Sequence, residues 1–259
     1  MILAYWYMFL ICVGIATLAM SAGIGGATFF IPFMLIVLKV PVESAIPIGI
    51  FVEIFGFAAG VYNYARRGQI DYSLAKKTII VAVPFVIAGV ILEHTIRPTL
   101  VEYLFIIALM IFSTQLLIGQ EVSGVAGKKY FGPLNAVIAA IGGALLGFLS
   151  TGLGESNEYN FFSRLKRSPV ITAGTSVLVV AVAAIVATTT QVVYMLSTSR
   201  FGAIEPYAML IIYSVLGAIV GAKVGAYLAN KVDRRHFRKL VGVALFFVAV
   251  ASLVKAIYL

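Results

Sequence analysis

Long apolar runs separated by short basic loops are the main pattern along this chain. Residues 1–38 carry no charge, although about 20 apolar residues are enough to cross the hydrocarbon layer of a bilayer. Helix-breaking residues cluster at 21–28, in the middle of this run, and Pro32 follows them. We therefore predict an interrupted or re-entrant helical hairpin at membrane depth, and we call residues 21–28 the first break.

Three apolar spans follow the first hairpin, and then the same order begins again. A second charge-free run, 131–154, leads into another glycine-rich segment, 150–157, which we call the second break. The six spans are predicted near 43–64, 78–92, 100–120, 169–199, 206–230 and 240–259. This order predicts a first transmembrane repeat over 1–120, a connecting loop over 121–132 and a second repeat over 133–259.

Short sequence echoes support the duplication. The matching pairs are Ser21-x-Gly-x-Gly with Ser150-x-Gly-x-Gly, Pro41 and Ala45 with Pro169 and Ala173, and Gly68-Gln-Ile-Asp71 with Gly202-Ala-Ile-Glu205. Each echo is weak by itself, but all occur in the same order in both halves.

Composition supports a membrane environment. Apolar residues make up 62% of the chain and charged residues 11%, against about 25% charged in an ordinary soluble domain. The net charge of +9 comes from short basic clusters between apolar runs, as is typical of loops beside anionic lipid headgroups. We expect no nucleic-acid partner.

The distribution of Lys and Arg predicts how the chain crosses the membrane. If each interrupted segment enters and leaves on one side, one face carries 14 of these residues and the other 4, whereas full crossing of both segments gives 10 and 7. The positive-inside rule favours the first arrangement. It predicts an all-α polytopic protein with two inverted repeats, each a re-entrant hairpin plus three transmembrane helices, and both termini outside.

The two breaks are the predicted substrate site. Glycines permit close backbone approach, and free N–H groups at a helix start attract anions, so two facing breaks would form an anion cradle. The alternative role for these glycines is tight helix packing. The predicted substrate-binding residues are Gly23, Gly25, Gly26, Ser150, Thr151, Gly152, Gly154, Ser156, Asn157, Thr175 and Ser176.

Two acidic residues within apolar segments are candidates for proton coupling. Glu53 lies near the centre of a span, where an ionised carboxylate costs on the order of 3 kcal/mol unless it is paired, hydrated or protonated. Its alternative role is a protonated acid bonded to another helix. Glu155, in the second break, has three open roles: proton coupling, occupation of the anion site itself, or capping of a helix.

Other chemistry has little support in the sequence. Cys12 is the only cysteine, and His94 and His236 are predicted to fall in loops without the spacing of metal ligands. Hydrolase, zinc-protease and prenyl-transfer motifs are not found. We expect neither an enzyme nor a metal or cofactor.

The breaks resemble those of the sulfite exporter TauE/SafE (TSUP) family. Gly23-Ile24-Gly25-Gly26-Ala27 with Pro32 nearly matches the family's Gly-x-Gly-Gly-Gly and later proline, and the resemblance extends to Arg67–Asp71 and Pro169–Ser176. The second break departs from the pattern, because Glu155 stands where the family has a further glycine and no proline follows in step. The resemblance implies transport of sulfite, sulfoacetate or related sulfonates.

These observations together predict a secondary transporter of small organic or sulfur-containing anions, proton-coupled and located as a multi-pass protein in the cell membrane. Its expected partners are a small anionic substrate and the lipid bilayer, and a homo-oligomer is left open. The alternatives are an anion channel and, behind it, an intramembrane sensor or enzyme.

Overall fold

Helices account for most of the described chain. The structure is a computed structural model that describes residues 5–118, 131–198, 202, 204–229 and 234–258, without the side chains of 234–238, 257 and 258. Its helices are α1 (Tyr7–Ala22), α2 (Ala27–Ile36), α3 (Val42–Arg66), α4 (Tyr72–Thr95), α5 (Pro98–Ile118), α6 (Pro133–Leu149), α7 (Leu153–Asn157), a π-helix (Glu158–Arg164), α8 (Pro169–Ser197), a 3-10 turn (Glu205–Tyr207), α9 (Ala208–Leu228) and α10 (Arg234–Tyr258).

Six of these helices are long and apolar enough to cross a membrane. They are α3, α4, α5, α8, α9 with its preceding 3-10 turn, and α10, and they correspond to the six predicted spans. The all-α polytopic membrane fold is thus confirmed. Parts of the predictions lie outside the described residues, namely residues 1–4, the ends of the predicted spans at 119–120, 199, 230 and 259, and residues 121–130 of the connecting loop.

Both predicted breaks interrupt a helix. The first helix of each hairpin has 16 or 17 residues, about 25 Å at helical rise, which is shorter than the ~30 Å hydrocarbon core. α1 ends where Gly23 adopts a left-handed φ of 76°, and α6 ends at Ser150, followed by Gly152 with a φ of 105°. A side chain is strained at such φ values, which explains the glycines at 23 and 152, although Ser150 also has a positive φ, of 58°.

Each hairpin packs mainly against the opposite half of the chain. α1 lies against α9, and the contact advances in step from Phe9 beside Gly217 to Thr17 beside Gly225, so the two helices are parallel. α6 lies against α4 in the same way, with Gly143 beside Ala82 and Gly147 beside Val86. These are the directions that inverted repeats would have, although the repeat itself stays a prediction.

Glycines bring the backbones of α1 and α9 into contact. A Cβ on Gly225 would lie 2.5 Å from the carbonyl oxygen of Thr17, and a Cβ on Gly217 or Gly221 would collide with carbonyl oxygens of α1. The hydroxyl of Ser21 donates to the Gly225 carbonyl oxygen across this contact at 3.0 Å. Small residues at four-residue spacing allow membrane helices to approach closely. These glycines of α9 therefore serve tight helix packing.

Ion pairs distinguish the two ends of the helical bundle. Arg167 pairs with Asp71 at 3.0 Å and Arg67 donates to the Ala226 carbonyl oxygen at 3.1 Å, so the loops 66–71 and 164–167 lie at one end, which we call the basic end. At the opposite end Lys255 pairs with Glu102 at 2.8 Å beside a cavity that Lys39 also lines. Loops 66–71 and 164–167 therefore share one end, opposite Lys39 and Lys255, whereas the re-entrant topology itself stays a prediction.

The interpretation of His94 and His236 as loop residues is wrong, because His236 lies in the first turn of α10. His94 lies in the last turn of α4, where one ring nitrogen is 2.5 Å from Oε1 of Gln191 and the ring stacks on Tyr194 with centroids 3.7 Å apart. Glu93 is 3.2 Å from the other ring nitrogen. This buried polar contact joins the ends of α4 and α8. Its hydrogen bonds satisfy polar side chains that would otherwise lie unpaired at the edge of an apolar core.

We predict that Gly221→Val lowers the melting temperature of the detergent-purified protein, because the added side chain would enter the backbone of α1. Overpacking of this kind costs ~1–3 kcal/mol. Gly14→Val is the matched control on α1, since a Cβ at Gly14 meets no atom within 4 Å. Fluorescence-detected thermal unfolding measures both, and equal shifts for the two variants would contradict the packing role.

Candidate substrate site

The two breaks meet backbone to backbone in the interior of the bundle. A Cβ on Gly154 would lie 3.0 Å from the backbone nitrogen of Gly25 and 3.0 Å from Cα of Ile24. Only a glycine at 154 permits this approach without displacement of the other chain segment. We call the region around Gly25 and Gly154 the crossing.

Glu53 of α3 binds the start of α2 at the crossing. Its Oε1 accepts the backbone N–H of Ala27, the first residue of α2, at 2.7 Å. A Cβ on Gly25 would lie 2.9 Å from the same oxygen, so glycine at 25 leaves room for the carboxyl group. The free N–H groups of a helix start attract anions, and here a carboxyl group of the protein itself occupies that position.

Glu155 connects the two breaks through two hydroxyl groups. Its Oε2 accepts the Gly152 backbone N–H at 3.0 Å, which caps the short helix α7, and its Oε1 accepts from the Thr28 hydroxyl at 2.7 Å. The hydroxyls of Thr28 and Thr151 are 2.5 Å apart. The Thr151 hydroxyl also lies 3.4 Å from Oε1 of Glu155, so a continuous hydrogen-bonded path runs from one break to the other.

Other predicted residues hold the breaks in place. The Ser176 hydroxyl donates to the Gly23 carbonyl oxygen at 3.0 Å, and Gly23 packs directly on Ala173 of α8. The Ser150 hydroxyl donates to the Ile46 carbonyl oxygen of α3 at 3.0 Å. The Ser176 bond satisfies the Gly23 carbonyl group, which lies beyond the end of α1 in an apolar interior, and the Ser150 bond ties the second break to α3.

The remaining predicted residues divide between the crossing and its surroundings. Gly26 precedes α2 as its N-cap, and Ser156 lies within α7 against Gly142 of α6. Thr175 is placed elsewhere: its hydroxyl accepts the Asp71 backbone N–H at 2.9 Å, next to the basic end. Asn157 is 1% exposed, and both polar atoms of its side chain lack a hydrogen-bond partner among the described residues.

Sequence reasoning missed Thr28 as a site residue. It is fully buried and contacts both Thr151 and Glu155. The sequence did contain a signal for this role, because Thr28 is the polar residue at the end of the first break and lies at the second position of α2. Sequence reasoning also missed that Ala27 offers its backbone N–H, which no side-chain pattern reveals.

The crossing combines acidic and neutral polar groups. Glu53 and Glu155 are 5% and 2% exposed, and the hydrogen bonds described here involve no Lys or Arg side chain. Hydroxyl and amide donors bind an oxyanion without the cost of burying a cation. An anion could replace a carboxylate at these donors, but it could not share the space with two ionised carboxylates.

Comparison with known families identifies the family of this chain. The profile of the family described as Sulfite exporter TauE/SafE matches residues 8–252 of the 259, which includes both breaks, five of the long helices in full and most of α10. The chain belongs to the TauE/SafE family. The members of this family are transporters. The two breaks of the chain are the segments in which its sequence resembles the family.

Comparisons with individual proteins add nothing further to this TauE/SafE assignment. No curated protein and no solved structure matches the chain. Within the part of the chain that the structure describes, no group of three His, Cys, Asp or Glu side chains is placed to hold a metal ion.

We predict that Gly154→Ala reduces transport and lowers the melting temperature, because the methyl group separates the two breaks at the crossing. The cost expected for such overpacking is ~1–3 kcal/mol. Gly14→Ala, in open space on α1, is the control and is expected to behave as the unmodified protein. Sulfite uptake into proteoliposomes and thermal unfolding are the measurements, and normal uptake by Gly154→Ala would show that the crossing tolerates separation.

Proposed function

We propose that this protein is a proton-coupled secondary transporter of small organic or sulfur-containing anions across the cell membrane. The observation that carries the proposal is the Glu53 carboxyl group, which occupies the anion-binding start of α2 at the crossing. A substrate oxyanion takes the Ala27 N–H only when Glu53 leaves it. Glu53 then lies in an apolar interior, where a proton must neutralise it.

Glu155 completes the proposed binding site. Its Oε1 shares the Thr28 hydroxyl with Thr151, so protonation of Glu155 releases hydroxyl donors on both breaks for the oxyanion. The neutral carboxyl group still accepts the Gly152 N–H and keeps α7 capped. Binding of the anion and binding of protons are thereby linked at one place.

The packing of the hairpins supports an alternating-access mechanism between two inverted repeats. Each hairpin lies against the opposite half, and the two hairpins enter from opposite ends. Movement of one half against the other would therefore move the breaks relative to each other. The backbone contact at the crossing favours this carrier over an open anion pore, because the two breaks would have to separate for an ion to pass between them.

The coupling is tested with Glu53→Gln in proteoliposomes loaded with sulfite or a sulfonate. The substituted amide can still accept the Ala27 N–H but cannot take or release a proton, so we expect exchange of the anion to persist while stimulation by a pH gradient is lost. Glu102→Gln, at the Lys255 ion pair far from the crossing, is the matched control. Full gradient stimulation in Glu53→Gln would overturn the coupling role of Glu53.

The membrane orientation is tested with single cysteines. Lys166→Cys lies in a loop of the basic end and Lys39→Cys at the opposite end, and the native Cys12 is buried. We expect a membrane-impermeant thiol reagent added to intact cells to label the cysteine at position 39 but not the one at position 166, since the basic loops face the cytoplasm. Labelling of both positions from outside would contradict the re-entrant topology.

A further inference from the structure

A buried polar cluster at the ends of α4 and α8 lies far from the crossing. Glu93 and His94 belong to the last turn of α4, and their side chains are 5% and 7% exposed. Gln191 and Tyr194 of α8 complete the cluster, Gln191 by hydrogen bonds and Tyr194 by stacking on the His94 ring. Gln191 lies 15 residues beyond Ser176, about 22 Å along α8 at helical rise. The cluster therefore joins the two halves of the chain at a second place.

The cluster lies at the end of the bundle opposite the basic end. α4 begins directly after Asp71 and α8 shortly after Arg167, and these two residues form the ion pair of the basic end. From there α4 and α8 run for 24 and 29 residues, about 36 and 43 Å at helical rise. The predicted orientation places their last turns at the outer face.

The partners of the His94 ring require a dissociable proton in the cluster. The amide nitrogen of Gln191 donates to Oε2 of Glu93 at 3.4 Å, so the amide oxygen faces Nε2 of His94. That oxygen can only accept, so Nε2 carries a hydrogen. Nδ1 lies 3.2 Å from the same Glu93 oxygen, and two lone pairs do not form a hydrogen bond. One further proton therefore lies between His94 and Glu93, on the ring or on the carboxyl group.

Few other charges face this pair among the described residues. α6, which also packs against α4, contains no titratable residue, and Tyr194 is the one titratable residue of α8. Lys76 and Lys77 lie in the first turns of α4, about 24 Å or more from Glu93 at helical rise. Arg97 is exposed in the loop that follows α4. Loss of the proton would thus leave a buried carboxylate against a lone pair of the ring, which is unfavourable away from water.

We propose that His94 and Glu93 form a second proton-binding site, separate from the crossing, whose proton holds the ends of α4 and α8 together. With the proton bound, the His94 ring bonds to Glu93 and Gln191 at once. Without it, the ring and the carboxylate repel each other, and the two helix ends separate more readily. α4 packs on α6 of the second hairpin, and α8 bonds to the first break through Ser176, so protons act here on a contact between the halves.

Cysteine accessibility in detergent tests this site without any transport measurement. Ala187 is fully buried one turn before Gln191 on the same face of α8, so Ala187→Cys reports separation of the helix ends. With Cys12 replaced by alanine, labelling by a small methanethiosulfonate is measured from about pH 5 to about pH 9, a range that contains ordinary imidazole titration. Division by the rate for the unfolded protein at each pH removes the titration of the thiol itself.

We expect the normalised labelling rate at position 187 to rise about tenfold with pH, because loss of a charged hydrogen bond changes an equilibrium by such a factor. Ala249→Cys is the control for general loosening, since Ala249 is fully buried on α10, which packs mainly against α5. Its normalised rate should not change with pH.

Two variants of the pair should remove the pH dependence in opposite directions. Glu93→Gln presents an amide N–H to Nδ1 of neutral His94, so the ring stays bonded to Gln191 without the further proton and labelling stays slow at every pH. His94→Phe keeps an aromatic ring beside Tyr194 but offers no group to Gln191, so labelling is fast at every pH.

The possible outcomes decide this proposal independently of the proposed function. A constant normalised rate at position 187 would overturn it, and so would an equal rise at position 249. A rise that persists in Glu93→Gln would show that another group takes the proton and would also overturn it. If thermal unfolding shows that His94→Phe does not fold, Glu93→Gln decides the test. No outcome depends on the transported anion, so failure here would leave the transporter proposal standing.

Discussion

Interrupting a helix inside a membrane leaves backbone groups that lipid cannot bond, and the rest of this structure is arranged around that constraint. The Gly23 carbonyl accepts from Ser176 of α8, the Ala27 N–H donates to Glu53 of α3, and the Gly152 N–H donates to Glu155. Two of these three partners come from long helices. The position of the breaks therefore fixes where α3 and α8 must run.

The two breaks satisfy their free N–H groups in different ways. The start of α2 is bound by a carboxyl group from a neighbouring span, whereas the start of α7 is bound by a carboxyl group of its own first turn. Glu53 can therefore respond to a shift of α2 against α3, while Glu155 moves with its own break. The crossing therefore contains two acids on different elements, Glu53 on α3 and Glu155 on the second break. This arrangement is compatible with the proposed exchange of protons and anions.

Close glycine contacts determine which parts can move together. α1 and α6 are each held by backbone contact with a helix of the other half, and Thr17 and Ser21 add hydroxyl bonds from α1 to carbonyl oxygens of α9. Such contacts resist separation because the two backbones lie in van der Waals contact along their length. A rocking of the halves would therefore carry α1 and α6 with the opposite half, whereas α2 is bonded to α3 of its own half through Glu53.

The membrane fold, the six spans and both breaks could be predicted from sequence, because hydropathy and helix-breaking residues act over short stretches of chain. Glu53 and Glu155 were recognisable as unusual for a similar reason, since an acid in an apolar run is costly wherever the run folds. The partners of these residues required the folded chain: Glu53 binds Ala27, Thr28 joins Thr151 to Glu155, and Thr175 bonds to Asp71 instead. Residues 26 to 127 positions apart make these contacts, and only the packing of helices brings such distant residues together.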